Sequence, residues 1–159
     1  MATPSVQFPF PCETPYNVPS KWESDKPRVF DEIPVEQLAE GIGSFYARFF
    51  SPDCCREDKT VYLPKPDKFP SSESVEKFKL KLIGLISEDI HRSIKVKGIW
   101  TRTFRTHYYP EDQLVNKACN ELEIEFQNKP GFFFPMKSSL SVELREKTLT
   151  VSWVGKRIW

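Results

Sequence analysis

The sequence predicts an α+β fold: a single domain with an antiparallel sheet and about three helices, preceded by a Pro-rich extended N-terminal arm. Three observations predict it. The order of helical and strand-like segments lacks the crossover-spaced alternation of a parallel sheet. Near the C-terminus, Leu140, Val142 and Leu144, then Leu149, Val151 and Trp153, alternate on either side of Arg145 to Lys147, the pattern of a hairpin. Half of the 14 prolines lie before residue 35. A chain of 159 residues suits one domain with an arm, so residues 1–30 are read as arm and 31–159 as globular.

The arm carries Pro4, Pro9, Pro11, Pro15, Pro19 and Pro27, which forbid a regular helix and hold their predecessors extended. Glu13 is its only charge before Lys21. Phe8, Phe10, Tyr16 and Trp22 give it an apolar load that a solvated linker does not need. Stiff extended segments lose little entropy on docking, and buried aromatics concentrate binding energy. These four residues are the expected partner-docking anchors. Packing back on its own domain, docking on another subunit or partner, and free disorder all remain open for the arm.

The first helix is predicted from Pro34 to Phe50. Val35, Leu38, Ile42, Phe45 and Phe49 recur at helical spacing, and Gly41 and Gly43 either weaken it or allow close packing. Ser51-Pro52-Asp53 stops it, and residues 51–71 form an irregular connection in which Thr60 to Leu63 suit a short edge strand. Residues 72–90 carry two signals. Lys77-Phe78-Lys79-Leu80-Lys81-Leu82 alternates like a strand, whereas Val75, Phe78, Leu82, Leu85 and Ile86 share one helical face. The length and the Ser72-Glu73 start favour a helix.

Residues 93–109 read as extended, with Gly98 marking a turn or bulge. Pro110-Glu111-Asp112 opens the third helix, lined by Leu114, Ala118, Leu122 and Phe126 and ended by Lys129-Pro130-Gly131. The C-terminal Trp159 suits either a plug into a neighbour or a final turn closing the core.

Net charge is only +1, which excludes a histone-like or acidic-tail protein. The balance conceals a segment, 90–110, with Arg92, Lys95, Lys97, Arg102 and Arg105, both histidines and no acid. On one strand, Lys95, Lys97, Thr101, Thr103, Arg105 and His107 would share a face, provided Gly98 keeps the register. Arg92, Lys95, Lys97, Arg102, Arg105 and His107 are therefore the candidate anionic-partner residues. The interleaved Trp100, Phe104, Tyr108 and Tyr109 add the flat rings that nucleic-acid binders use. An acidic protein, an anionic membrane surface and a plain solvated face fit the same pattern.

No catalytic residues are assigned. A Gly-x-Ser-x-Gly elbow, a Gly-rich phosphate loop and a Gly-x-Gly-x-x-Gly turn are all missing. Cys54 and Cys55 with His91 and His107 are a weak zinc set without Cys-x-x-Cys spacing, so no metal or cofactor is expected. Cys119 reads as helix core. No apolar run reaches about 18 residues, so no transmembrane helix is expected. Met1-Ala2-Thr3-Pro4 lacks a signal-peptide pattern, and the cysteines form no disulfide ladder. An intracellular location, cytoplasmic or nuclear, is expected.

The stretch Ile94-Lys95-Val96-Lys97 through Thr103-Phe104-Arg105-Thr106, followed by a helix containing Val115 and Ala118, resembles rhabdovirus-type matrix proteins over about 25 residues. The resemblance implies a basic strand opening the globular domain, an arm that docks on a neighbouring subunit, self-assembly, nucleocapsid condensation and membrane contact. The family's Lys-rich N-terminus and Pro-Pro-x-Tyr motif have no counterpart; the nearest stretch is Thr14-Pro15-Tyr16-Asn17. The expected function is a non-enzymatic assembly or interaction protein, with a nucleic-acid-binding module over residues 92–109 as the alternative.

Overall fold

A computed structural model describes residues 28–29, 35–50, 69–106, 112–122, 138–145, 147–153 and 156–157. The fold is α+β, as predicted. Its elements are β1 (Arg28–Val29), α1 (Val35–Ala47), α2 (Ser72–Lys97), β2 (Ile99–Thr106), α3 (Gln113–Cys119), β3 (Ser138–Arg145), β4 (Thr148–Trp153) and β5 (Lys156–Arg157). A 3-10 turn extends α1 over Arg48–Phe50, and another extends α3 over Asn120–Leu122. Among the described residues no helix is long and apolar enough to cross a membrane. Thr60–Leu63, Phe126 and the predicted helix stop at Lys129–Gly131 lie outside the described residues, as do arm residues 1–27.

The first helix matches its periodicity. Leu38, Ile42, Phe45 and Phe49 are buried, and Ala39, Tyr46 and Phe50 widen the stripe. The segment with two signals is a helix, α2, and it is longer than expected. Its buried ridge is Phe78, Leu82, Ile86 and Ile90, one residue per turn. Burying each such side chain contributes about 1.5–3 kcal/mol, which outweighs the local alternation. The alternation has one visible cost: Leu80 is left exposed. Ser71 rather than Ser72 is the N-cap, its hydroxyl accepting from the Ser74 amide at 3.2 Å.

Gly43 sets how closely α1 approaches α2. A Cβ there would lie 2.7 Å from Ile83 Cγ1, so the glycine serves close packing. The same helix pair is clasped at its solvent side by Glu36, whose Oε1 accepts from Ser87 Oγ at 2.7 Å and contacts His91 Nε2 at 3.1 Å.

The residues from 93 to 97 overturn the extended reading. They complete α2, and Gly98 is its C-cap at φ 72°, donating its N–H to the Ile94 carbonyl. Only glycine takes this left-handed conformation without strain, so helix ends and strand begins at one residue. Ile94 packs against the core, and Lys95 and Lys97 lie in the last turn, where cations favour the helix dipole.

The sheet is antiparallel, in the order β1-β4-β3-β2, with β5 also on β4. The predicted hairpin is present: Leu140, Val142 and Leu144 pair with Trp153, Val151 and Leu149. Trp100, Arg102 and Phe104 of β2 extend these rows, opposite Leu144, Val142 and Leu140. One sheet face is therefore apolar except for Arg102, and α2, α3 and Tyr46 of α1 cover it. The other face carries Thr101, Thr103, Ser139, Ser141, Thr150 and Ser152, with Arg105, Glu143 and Arg145. Two residues read as arm, Arg28 and Val29, pair with Leu149 and Thr148, so the sheet begins before residue 31.

Gly43→Ala adds helix propensity worth about 1 kcal/mol but overpacks against Ile83, at about 1–3 kcal/mol. A net loss of about 1 kcal/mol is expected in urea unfolding, and Ile83→Ala should cost less in the Gly43→Ala background than alone.

Candidate anionic-partner interface

The six predicted anion-binding residues do not form one face. Arg102 is the clearest correction. Alternation puts it on the inner face of β2, between Trp100 and Phe104. There its Nε donates to Asp112 Oδ2 at 2.6 Å and a terminal nitrogen donates to Asp89 Oδ2 at 3.1 Å. Its side chain is 24% exposed and that of Asp112 is 4% exposed. The guanidinium also stands 5.8 Å from the centre of the Phe104 ring. A cation held this way is committed to its own domain and presents nothing to a partner.

Each carboxylate has further work. Asp89 Oδ2 also accepts the Trp100 indole N–H at 2.8 Å. Asp112 is the N-cap of α3, its Oδ1 accepting from the Leu114 and Val115 amides at 2.8 and 3.1 Å. One guanidinium thus faces two carboxylates, and the second negative charge rests on the positive end of α3. Tyr46, fully buried nearby, has its hydroxyl pushed well above the usual range by burial and then by the Asp112 charge.

The remaining cations separate. Lys95 and Lys97 sit on α2, off the strand, because Gly98 ends the helix after them. Arg92 is on α2 as well, paired with Glu88 at 3.1 Å. Arg105 alone stays exposed on the open sheet face. His107, Phe8, Phe10, Tyr16, Trp22 and Trp159 lie outside the described residues.

The fold assembles a different cationic site. Ile99 pairs with Arg145, so the end of α2 abuts the turn between β3 and β4. Lys95 and Lys97, in the last turn of α2, and Arg145 and Lys147, at the β3–β4 turn, are all exposed, as is Val96, at 76%. Arg145 pairs with Glu143. Lys95, Lys97 and Lys147 have no carboxylate partner among the described residues. The turn is fixed by the Thr148 hydroxyl, which donates to the Arg145 carbonyl at 3.0 Å. The sequence reading missed Arg145 and Lys147 as site residues. It placed them in a turn, but their meeting with α2 depends on a pairing more than 40 positions apart.

Of the aromatic half of the predicted motif, Tyr108 and Tyr109 lie outside the described residues and the other two are buried. Trp100 and Phe104 are each 1% exposed, so neither can stack on a base. Among the described residues His91 and Cys119 form no nucleophile–base pair, and His107, Cys12, Cys54 and Cys55 lie outside them. His91 is exposed and engaged with Glu36, while Cys119 is in the core, where burial pushes its thiol up to about 12. Among the described residues no group of three or more His, Cys, Asp or Glu side chains could hold a metal ion. No family model, no curated protein and no solved structure matches the chain.

Arg102→Ala leaves two partly buried carboxylates facing each other. With the arginine partly solvated, the low end of the buried-pair range applies, and denaturant unfolding should show a loss of about 3 kcal/mol. Glu36 gives a pH signature. Its hydrogen bonds to His91 and then Ser87 hold its carboxyl below the ordinary 4.5. The folded value lies below the unfolded one, so the contribution is full above the ordinary value and fades as pH falls through the lower one. Glu36→Gln should remove this acid-side loss, by less than about 1 kcal/mol for so exposed a pair.

Proposed function

We propose that the chain is a non-enzymatic interaction and assembly protein that offers a cationic corner to an acidic protein partner. The observation that carries this reading is that Lys95 and Lys97, in the last turn of α2, and Lys147, in the adjoining β3–β4 turn, are exposed and have no carboxylate partner among the described residues, with Val96 exposed between the first two. Cations arranged around an apolar residue suit a peptide surface with acidic side chains. The sequestered Trp100 and Phe104 weigh against a base-stacking, nucleic-acid role for this region. The arm, with Phe8, Phe10, Tyr16 and Trp22, would add a second docking element on a neighbouring subunit or partner. The matrix-protein resemblance points in the same direction, towards assembly rather than catalysis.

The test is binding to poly-L-glutamate and to a single-stranded oligonucleotide of equal charge, read by fluorescence anisotropy at low and high salt. Three exposed contacts of about 0.5 kcal/mol each amount to roughly a tenfold effect. The Lys95→Ser, Lys97→Ser, Lys147→Ser variant should therefore bind poly-L-glutamate about tenfold more weakly than the parent, with the salt dependence reduced. Equal affinity in the variant overturns the corner as the site. Tighter binding of the oligonucleotide transfers the region to the nucleic-acid reading.

A further inference from the structure

The two edges of the sheet are treated differently. On the far edge, β4 is covered by two short strands: β1 pairs with Leu149 and Thr148, and β5 pairs with Ser152 and Trp153. Two-residue edge strands are a common way to blunt a sheet. On the near edge lies β2, eight residues long, and every one of them pairs with β3 without a slip or bulge. Among the described residues no strand pairs with its outer edge.

The sequence of β2, Ile-Trp-Thr-Arg-Thr-Phe-Arg-Thr, has few of the usual protections. It contains no proline and no lysine, and it is rich in β-branched and aromatic residues. The inward charge of Arg102 would normally discourage a second strand. Here Asp89 and Asp112 neutralise it, so that deterrent is removed.

The strand is also complementary to itself. Antiparallel pairing about a two-fold axis at Thr103 sets Thr103 opposite Thr103 and Thr101 opposite the second copy's Arg105. Arg102 then faces Phe104, and Trp100 faces Thr106. No like charges meet in this register. Moving the axis by one residue, to Arg102, would set arginine against arginine, which is unfavourable. The threonines at the centre are exposed and belong to the polar sheet face, where Thr103 Oγ1 lies 3.2 Å from Ser141 Oγ.

We infer that β2 is a self-pairing edge: two copies of the chain join their sheets through antiparallel β2 strands centred on Thr103. The occupant is a second copy because β2 pairs with itself about Thr103 with no like charges opposite, threonine meeting threonine and each Arg105 meeting a Thr101. This surface is separate from the cationic corner, and either could exist without the other.

The experiment is the molar mass of the full chain by light scattering over a concentration series, for the parent and two variants. Thr103→Lys places two like charges opposite each other at the axis. Thr101→Glu creates two carboxylate–Arg105 pairs per dimer. Both positions are exposed, and far-UV circular dichroism checks that the variants fold. At about 0.5 kcal/mol per cross-strand pair, Thr101→Glu, with two pairs per dimer, should tighten the dimer roughly fivefold, and Thr103→Lys, with one like-charge pair at the axis, should loosen it roughly twofold. A parent that stays monomeric across the series overturns the inference. So does a dimer whose constant neither variant changes, or changes in the opposite sense. A monomer that binds poly-L-glutamate more tightly after Thr103→Lys would assign the edge to an acidic partner instead.

Discussion

The fold depends on placing one charge inside an apolar face. Arg102 sits in the middle row of the inner sheet surface, directly opposite Val142, with Trp100 and Phe104 on either side of it in β2. An unpaired guanidinium there would oppose folding by several kcal/mol. Asp89 and Asp112 remove that penalty, and they come from different helices. Satisfying Arg102 therefore requires α2, β2 and α3 to be in place together. Asp112 in turn caps α3, and Asp89 orients the indole of Trp100. The network gives the helical layer a defined position on the sheet, where hydrophobic burial alone is non-directional.

Much of this architecture was legible because its signals are local. The helical period of Val35 to Phe49, the capping acids before α3 and the alternation around Arg145–Lys147 each act within a few residues. The boundary between α2 and β2 was not legible. Ile94 and Val96 are β-branched and suit a strand, yet tertiary burial of Ile90 and Ile94 carries the helix on to Lys97. Gly98 was noticed as a break, and its conformation decides which residues belong to which element. The charge reading failed for the same reason. It treated the cations of residues 92–107 as one strand, whereas the fold divides them among a helix end, an internal pair and the open sheet face.

The site that did emerge is non-local. The turn that carries Arg145 and Lys147 comes beside the end of α2, which carries Lys95 and Lys97, only through the register of β2 on β3. Arg102 could have been suspected of an inward role, since it alternates in step with Trp100 and Phe104. Its partners could not, because aspartates 13 and 10 positions away become neighbours only after the strand turns back along the helix. Near-zero net charge and a local cationic corner are thus compatible: some acids are consumed internally, and the exposed lysines at the corner have no carboxylate partner among the described residues.

The joint at Gly98 has a consequence for how such a chain can vary over evolutionary time. A helix of 26 residues and a strand of eight meet across a single residue. Surface connections elsewhere can absorb added length at small entropic cost. This one cannot. A residue inserted here would advance β2 by one position and reverse its faces, turning Trp100 and Phe104 outward and Thr101 and Thr103 into the core. Lengthening in divergent descendants is therefore confined to other connections, and the spacing from Asp89 to Trp100 and Arg102 should be kept residue for residue even where the side chains around it drift.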